Sequence, residues 1–183
     1  MAKTALLLIT NGSEEMEAII TADVLRRAGI DVTIAGLNGS APVKCSRNVV
    51  VVPDKALNEA KAEYDVVILP GGLEGANTFA RSDEVKSILK EQEKSGRLIA
   101  AICAAPIALK SHQIYPNKTI TSHPSKAAEL KDVYNYSEDR VVVDGQLITS
   151  RAPGTAFEFA LTIVEKLCGK DKVNEITPSM VLK

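Results

Sequence analysis

The chain has 183 residues, of which 45% are hydrophobic and 25% charged, and its formal net charge is −1. A chain of that length can bury the core of one domain, and the balance excludes a disordered segment or a chain-wide basic field for nucleic acid. No apolar run approaches the ~20 residues of a membrane span, and the start, Met1 to Ile9, is too short for a signal peptide.

In chain order, Thr4 to Thr10 reads as a buried strand, and Asn11-Gly12-Ser13 supplies a turn with Ser13 as N-cap of the following helix. Met16, Ile19, Ile20, Val24 and Leu25 keep helical spacing, Arg26-Arg27 suits the negative helix end, and Gly29 stops it. Ile30 to Ala35 is a second strand and closes a right-handed βαβ unit. Val43 to Arg47 and Val49 to Val52 form a small hairpin excursion, and Leu57 to Ala62 a short helix. Tyr64 to Leu69 is another buried strand, ending on Pro70-Gly71-Gly72. Ser82 caps a helix with Val85, Ile88 and Leu89 inward, and Gly96 ends it. Leu98 to Ile102 carries no charge and no turn residue, as a strand covered on both faces should, and Ala104-Ala105-Pro106 then opens a helix. Thr119 to Pro124 is a short strand entering a turn, and Ser125 to Leu130 makes one or two helical turns. Val141 to Val143, Asp144-Gly145 and Gln146 to Thr149 make a hairpin. Phe157 to Leu167 is helical up to Gly169, and Pro178 breaks a short last helix. The pattern predicts one α/β domain over residues 1–183, a doubly wound, mostly parallel sheet with helices on both faces.

In such sheets, sites lie beyond the C-terminal strand ends, where Gly12, Gly71-Gly72, Cys103 and His123 all fall. Cys103 sits between a buried strand and a helix start, whose positive end favours thiolate over thiol. The bland alternative is a small buried hydrophobe. Glu17, in the first turn of the first helix, is placed to share a proton with that sulfur. The N–H groups of Gly72 and Ala104 are expected to form an oxyanion pocket. His123 stands where a base could stand, whereas His112 reads as a helix-end surface residue. Arg47 and Arg151 are expected to line the crevice and attract carbonyl or carboxylate groups. Cys45, beside Lys44 and Arg47, reads as an exposed, oxidisable thiol or an ordinary surface one, and Cys168 as packing. The three cysteines are widely spaced without C-x-x-C, which fits a reducing compartment and argues against a disulfide framework or a metal site.

Gly12-Ser13-Glu14-Glu15-Met16-Glu17, Val67-Ile68-Leu69-Pro70-Gly71-Gly72, Ala100-Ala101-Ile102-Cys103-Ala104-Ala105-Pro106 and Thr149-Ser150-Arg151-Ala152-Pro153-Gly154-Thr155 together resemble the ThiJ/PfpI superfamily. Within it the chain is similar to the animal parkinsonism-associated protein deglycase branch. The resemblance implies a flavodoxin-like homodimer that needs no cofactor, with Met16, Arg27, Val50 and Val51 in the dimer-forming region. It implies a cysteine, matching Cys103, that oxidises to a sulfinate held by Glu17 and the Gly72 amide, with His123 as the site histidine. It further implies glyoxalase and protein deglycase activity on small reactive aldehydes and glycated proteins, a chaperone role, and a cytoplasmic location extending to nucleus and mitochondrion.

The chain departs from that branch at Ala105 and Ala152, where glycine is common, and at Val52, which replaces an interface cysteine. Two other readings compete with the enzyme: a non-catalytic oxidative-stress sensor or redox-regulated chaperone, and a cysteine peptidase built on a Cys103–His123 pair.

Overall fold

The computed structural model describes residues 2–60 and 63–182. Its elements run β1 (Thr4–Ile9), α1 (Glu15–Arg27), β2 (Asp31–Gly36), β3 (Val43–Lys44), β4 (Val50–Val51), β5 (Lys55–Ala56) and a 3₁₀ turn at Leu57–Glu59. After these come β6 (Val66–Leu69), α2 (Leu73–Arg81), α3 (Asp83–Lys94), β7 (Leu98–Ile102), α4 (Pro106–Ser111) and β8 (Thr119–Ile120). A 3₁₀ turn at Pro124–Lys126 leads to α5 (Ala127–Leu130), β9 (Asn135–Tyr136), β10 (Val141–Asp144) and β11 (Leu147–Ser150). Another 3₁₀ turn, Pro153–Thr155, precedes α6 (Ala156–Cys168) and α7 (Lys170–Met180).

Seven strands form one sheet in the order β10-β11-β7-β6-β1-β2-β5, parallel throughout except for β10 against β11. The uninterrupted apolar run of β1 is explained by burial on both faces. Its alternate residues Leu7 and Ile9 join one core cluster with Ala18, Leu25 and Phe159 of α1 and α6. Leu6 and Leu8 point the other way, into a cluster with Phe79, Leu89 and Leu109 of α2, α3 and α4. The chain winds outward from β1 in both directions, through β2 and through β6. The loops leaving β1 and β6 therefore diverge, which opens a crevice at the strands' C-terminal ends.

The doubly wound α/β architecture is the expected one, and several local features differ from the sequence pattern. Ser13 does not cap α1: its Oγ accepts the Thr10 N–H at 3.1 Å and closes the turn, leaving Glu14 in the cap position. The segment after Gly72 is helical, although Glu74-Gly75-Ala76-Asn77-Thr78 has weak helix propensity. Packing imposes α2, since Ala76 and Phe79 are fully buried and Gly75 lies so close to Ser13 that a Cβ would come within 2.9 Å of its amide nitrogen. The helix expected from Leu57 to Ala62 is a 3₁₀ turn over Leu57–Glu59, and Lys61 and Ala62 lie outside the described residues. Pro178 does not break α7: it falls close to the helix end, and the helix continues to Met180 before Val181 turns left-handed at φ 51°. His112 is buried rather than surface, because its Nε2 pairs with the Phe79 carbonyl at 2.8 Å and ties α4 to α2. No helix among the described residues is long and apolar enough to cross a membrane.

Candidate active site

Three strand ends supply the site. After β1 the chain turns at Gly12 and Ser13, and the Glu14 N–H donates to the Gly71 carbonyl at 2.9 Å, joining this loop to the one after β6. One turn into α1, Glu17 points inward and is fully buried. Its Oε2 accepts the Gly71 N–H at 2.7 Å, and its Oε1 has no hydrogen-bond partner among the described residues.

Gly71 explains how a carboxyl and a thiol meet there. A Cβ at this position would lie 2.5 Å from the Cys103 Cβ and 2.6 Å from Glu17 Oε2, so only glycine lets both side chains close over it. Its neighbour Gly72 stands at φ 85°, with the Gly12 carbonyl 2.1 Å from where a Cβ would be. The sequence pattern points to the glycine pair as a close-approach turn, but singles out Gly72 and misses Gly71 as the spacer.

Cys103 leaves β7 in the left-handed region at φ 65°, unusual for a residue with a Cβ. Two backbone bonds hold it there, its N–H to the Ser150 carbonyl at 3.0 Å and its carbonyl to the His123 N–H at 2.8 Å. The amides of Gly72 and Ala104 favour the anionic form of the sulfur, and the Glu17 carboxyl opposes it. Regular helix begins only at Pro106, so two individual amides rather than a helix end supply the positive field at Sγ.

Burial and the neighbouring Glu17 carboxylate push the Cys103 thiol up to about 12, against the pull of the two amides. Burial likewise pushes Glu17 up to about 7, opposed by the Gly71 N–H and Cys103 and reinforced by Glu14. The thiolate expectation needs this refinement: with Glu17 ionised, the sulfur keeps its proton. With Glu17 protonated, the repulsion is gone and its hydroxyl can donate to the sulfur. Below about 7 both groups hold a proton, and above it the pair holds one, on the sulfur.

The open side is a crevice of about 270 Å³ whose lining includes Glu14, Arg47, Cys103, Ala104, His123, Ser125, Lys126 and Pro153. Grooves of about 310 and 390 Å³ elsewhere contain no cysteine. Arg47 is anchored through its N–H to Glu15 Oε1 at 2.8 Å. Arg151, expected beside it, does not line the crevice. Its guanidinium is held by the carbonyls of Ser122 at 3.3 Å and Glu138 at 2.9 Å. Cys45 is not an exposed thiol: only 4% of it is accessible, and burial, with the charges of Glu15 and Glu14, pushes it up to about 11. No hydrogen bond joins the His123 ring to the Cys103 sulfur among the described residues, and the His123 Nδ1 is bound to Ser125. Ser125 and Lys126 were legible in sequence only as part of a helical turn.

Residues 3–166 match the model of the DJ-1/PfpI family. Protein dj-1beta of Drosophila melanogaster is 53% identical over 184 residues, covering 100% of this chain and 98% of that protein. Its crystal structure superposes with a TM-score of 0.98, each chain covered over 100% of its length. The glutathione-independent glyoxalase DJR-1.2 of Caenorhabditis elegans is 42% identical, with 98% of this chain and 97% of that protein covered.

Proposed function

Because the chain belongs to the DJ-1/PfpI family, we propose that it is a cofactor-free glyoxalase that protects against carbonyl and oxidative stress through Cys103. The observation that carries this reading is the meeting of Glu17 and Cys103 over Gly71, with the buried Oε1 of Glu17 left without a partner. The similarity to a protein named as a glutathione-independent glyoxalase points to the same substrate class, small 2-oxoaldehydes.

The Cys103 proton passes to Glu17, and the sulfur adds to the aldehyde carbon of methylglyoxal to give a hemithioacetal. The amides of Gly72 and Ala104 hold the developing oxyanion. Glu17, again ionised once the oxyanion is protonated, takes the proton from C1 to give an enediolate; the C1 hydroxyl proton passes to the C2 oxygen and Glu17 returns its own proton to C2, which leaves a lactoyl thioester. Water hydrolyses the thioester and frees lactate and the thiol, so the sum is methylglyoxal plus water to lactate. The same addition reaches the carbonyl adducts of glycated proteins, which makes deglycase activity part of the proposal.

Peroxide reaches the same sulfur. Two oxidations, each reducing one peroxide to water, take the thiol through sulfenic to sulfinic acid, whose oxygens can accept from a protonated Glu17 and the two amides. Protein incubated with methylglyoxal is expected to release lactate, and Cys103→Ala to reduce that release to background. Undiminished lactate from the variant would end the proposal.

A further inference from the structure

His123 lies on the crevice wall with Cys103, and its backbone N–H is bonded to the Cys103 carbonyl, so the main chain fixes the two residues next to each other. Its ring opens the 3₁₀ turn Pro124–Lys126 as an N-cap. Pro124 has no N–H, so the first amide the turn offers is that of Ser125, which lies 3.2 Å from Nδ1. The Ser125 hydroxyl stands 2.8 Å from the same nitrogen. A backbone N–H can only donate, so Nδ1 must present its lone pair, and the proton of the neutral ring then stands on Nε2.

We propose that Ser125 is a positioning residue that fixes His123 as the Nε2–H tautomer, and that His123 serves as a hydrogen-bond donor to the C2 oxygen of a 2-oxoaldehyde held on Cys103. The proposal rests on the glyoxalase reading and assigns the base to Glu17 alone. When Glu17 takes the C1 proton, the C1–H electron pair becomes the C1–C2 double bond and the C2 carbonyl pair moves onto its oxygen. The Nε2–H stabilises that oxygen without giving up its own proton; the C1 hydroxyl proton then passes to the C2 oxygen, and as Glu17 delivers its proton to C2 the charge left on the C1 oxygen becomes the thioester carbonyl.

The tautomer is read directly by ¹⁵N resonances of histidine-labelled protein, with the proton expected on Nε2 of His123 and a bare Nδ1. In kinetics, His123→Asn, whose amide N–H replaces only the Nδ1 position, is expected to lower kcat about a hundredfold with little change in KM, the scale of a lost oxyanion donor. His123→Gln, whose amide reaches the Nε2 position, is expected to recover at least about a tenth of the loss. Ser125→Ala keeps the amide that sets the tautomer and removes the hydroxyl contact that steadies the ring, so it is expected to lower kcat with the proton still on Nε2, and Ser125→Thr to restore the rate. A proton on Nδ1, or equal rates for the Asn and Gln variants, would overturn the proposal. Absence of lactate from the wild type would instead remove the glyoxalase reading and the donor role with it, a result distinct from turnover indifferent to His123.

Discussion

Glu17 is a carboxyl group whose ordinary exposed behaviour has been reversed by its place. It is raised from 4.5 to about 7, so the folded protein holds that proton more tightly than the unfolded chain. The sign follows: its contribution is fully present below pH 4.5 and is lost as pH rises through about 7, a change of about 3 kcal/mol from a shift of that size. Asp65, held below its usual range by Lys3 and the Thr4 N–H despite burial, acts oppositely and loses its contribution as pH falls below the carboxylate range. Denaturant unfolding between pH 4.5 and 7 is therefore expected to show falling stability in the wild type and a flatter profile in Glu17→Gln. Parallel profiles would show that Glu17 ionises freely. The position of Glu17 near a helix start and a strand end was visible in sequence, but its burial was not, because acidic residues in a first helical turn are usually solvated.

At the scale of elements, the hairpin β3–β4 is joined to the start of α1 through its turn, by Ser46 and Arg47. The Ser46 hydroxyl lies 2.6 Å from Glu14 Oε2 and 2.9 Å from Glu15 Oε2, and the adjoining Arg47 N–H also reaches Glu15. Burial raises Glu15, but these donors and the helix amides outweigh it and hold Glu15 below its usual range. Ser46→Ala leaves two partly buried carboxylates facing each other without the hydroxyl between them. The expected cost is about 1–2 kcal/mol in denaturant unfolding, with faster amide exchange over residues 43–51 and little change elsewhere. Uniform exchange across the chain would show that the hairpin is not an independent unit. The polar run from Lys44 to Arg47 gave the hairpin its turn chemistry, but its docking partner lies some thirty residues earlier, a distance over which no local pattern reports.

The whole molecule leaves apolar groups uncovered on the side of α1 away from the sheet. Met16 and Ile19 are 52% and 42% exposed, Val50 on the neighbouring hairpin is 60%, and Ile19 shares a groove with Phe157 and Met180. Such a face suits a second copy of the chain, which is the homodimer implied by the sequence resemblance. Sedimentation is expected to give a dimer for the wild type, and Met16→Lys to shift it toward monomer while circular dichroism stays unchanged. A monomeric wild type, or a dimer indifferent to the substitution, would place the interface elsewhere or remove it.

The sequence by itself determined the alternation of apolar strands and amphipathic helices, the parallel doubly wound class, and the presence of Cys103 and Glu17 at strand ends. These follow from periodicities and turn residues within a few positions of one another. Only the tertiary structure decided that Gly71 is the spacer between acid and thiol, that Cys45 and His112 are buried, that the Arg151 guanidinium is taken up by main-chain carbonyls, and that α2 is a helix. Each of these depends on contacts between segments far apart in the chain, above all where the loops after β1, β6 and β7 meet. The raised pKa values of Glu17 and Cys103 belong to the same class, since burial and the approach of two loops set them, and neither is written in the residues on either side.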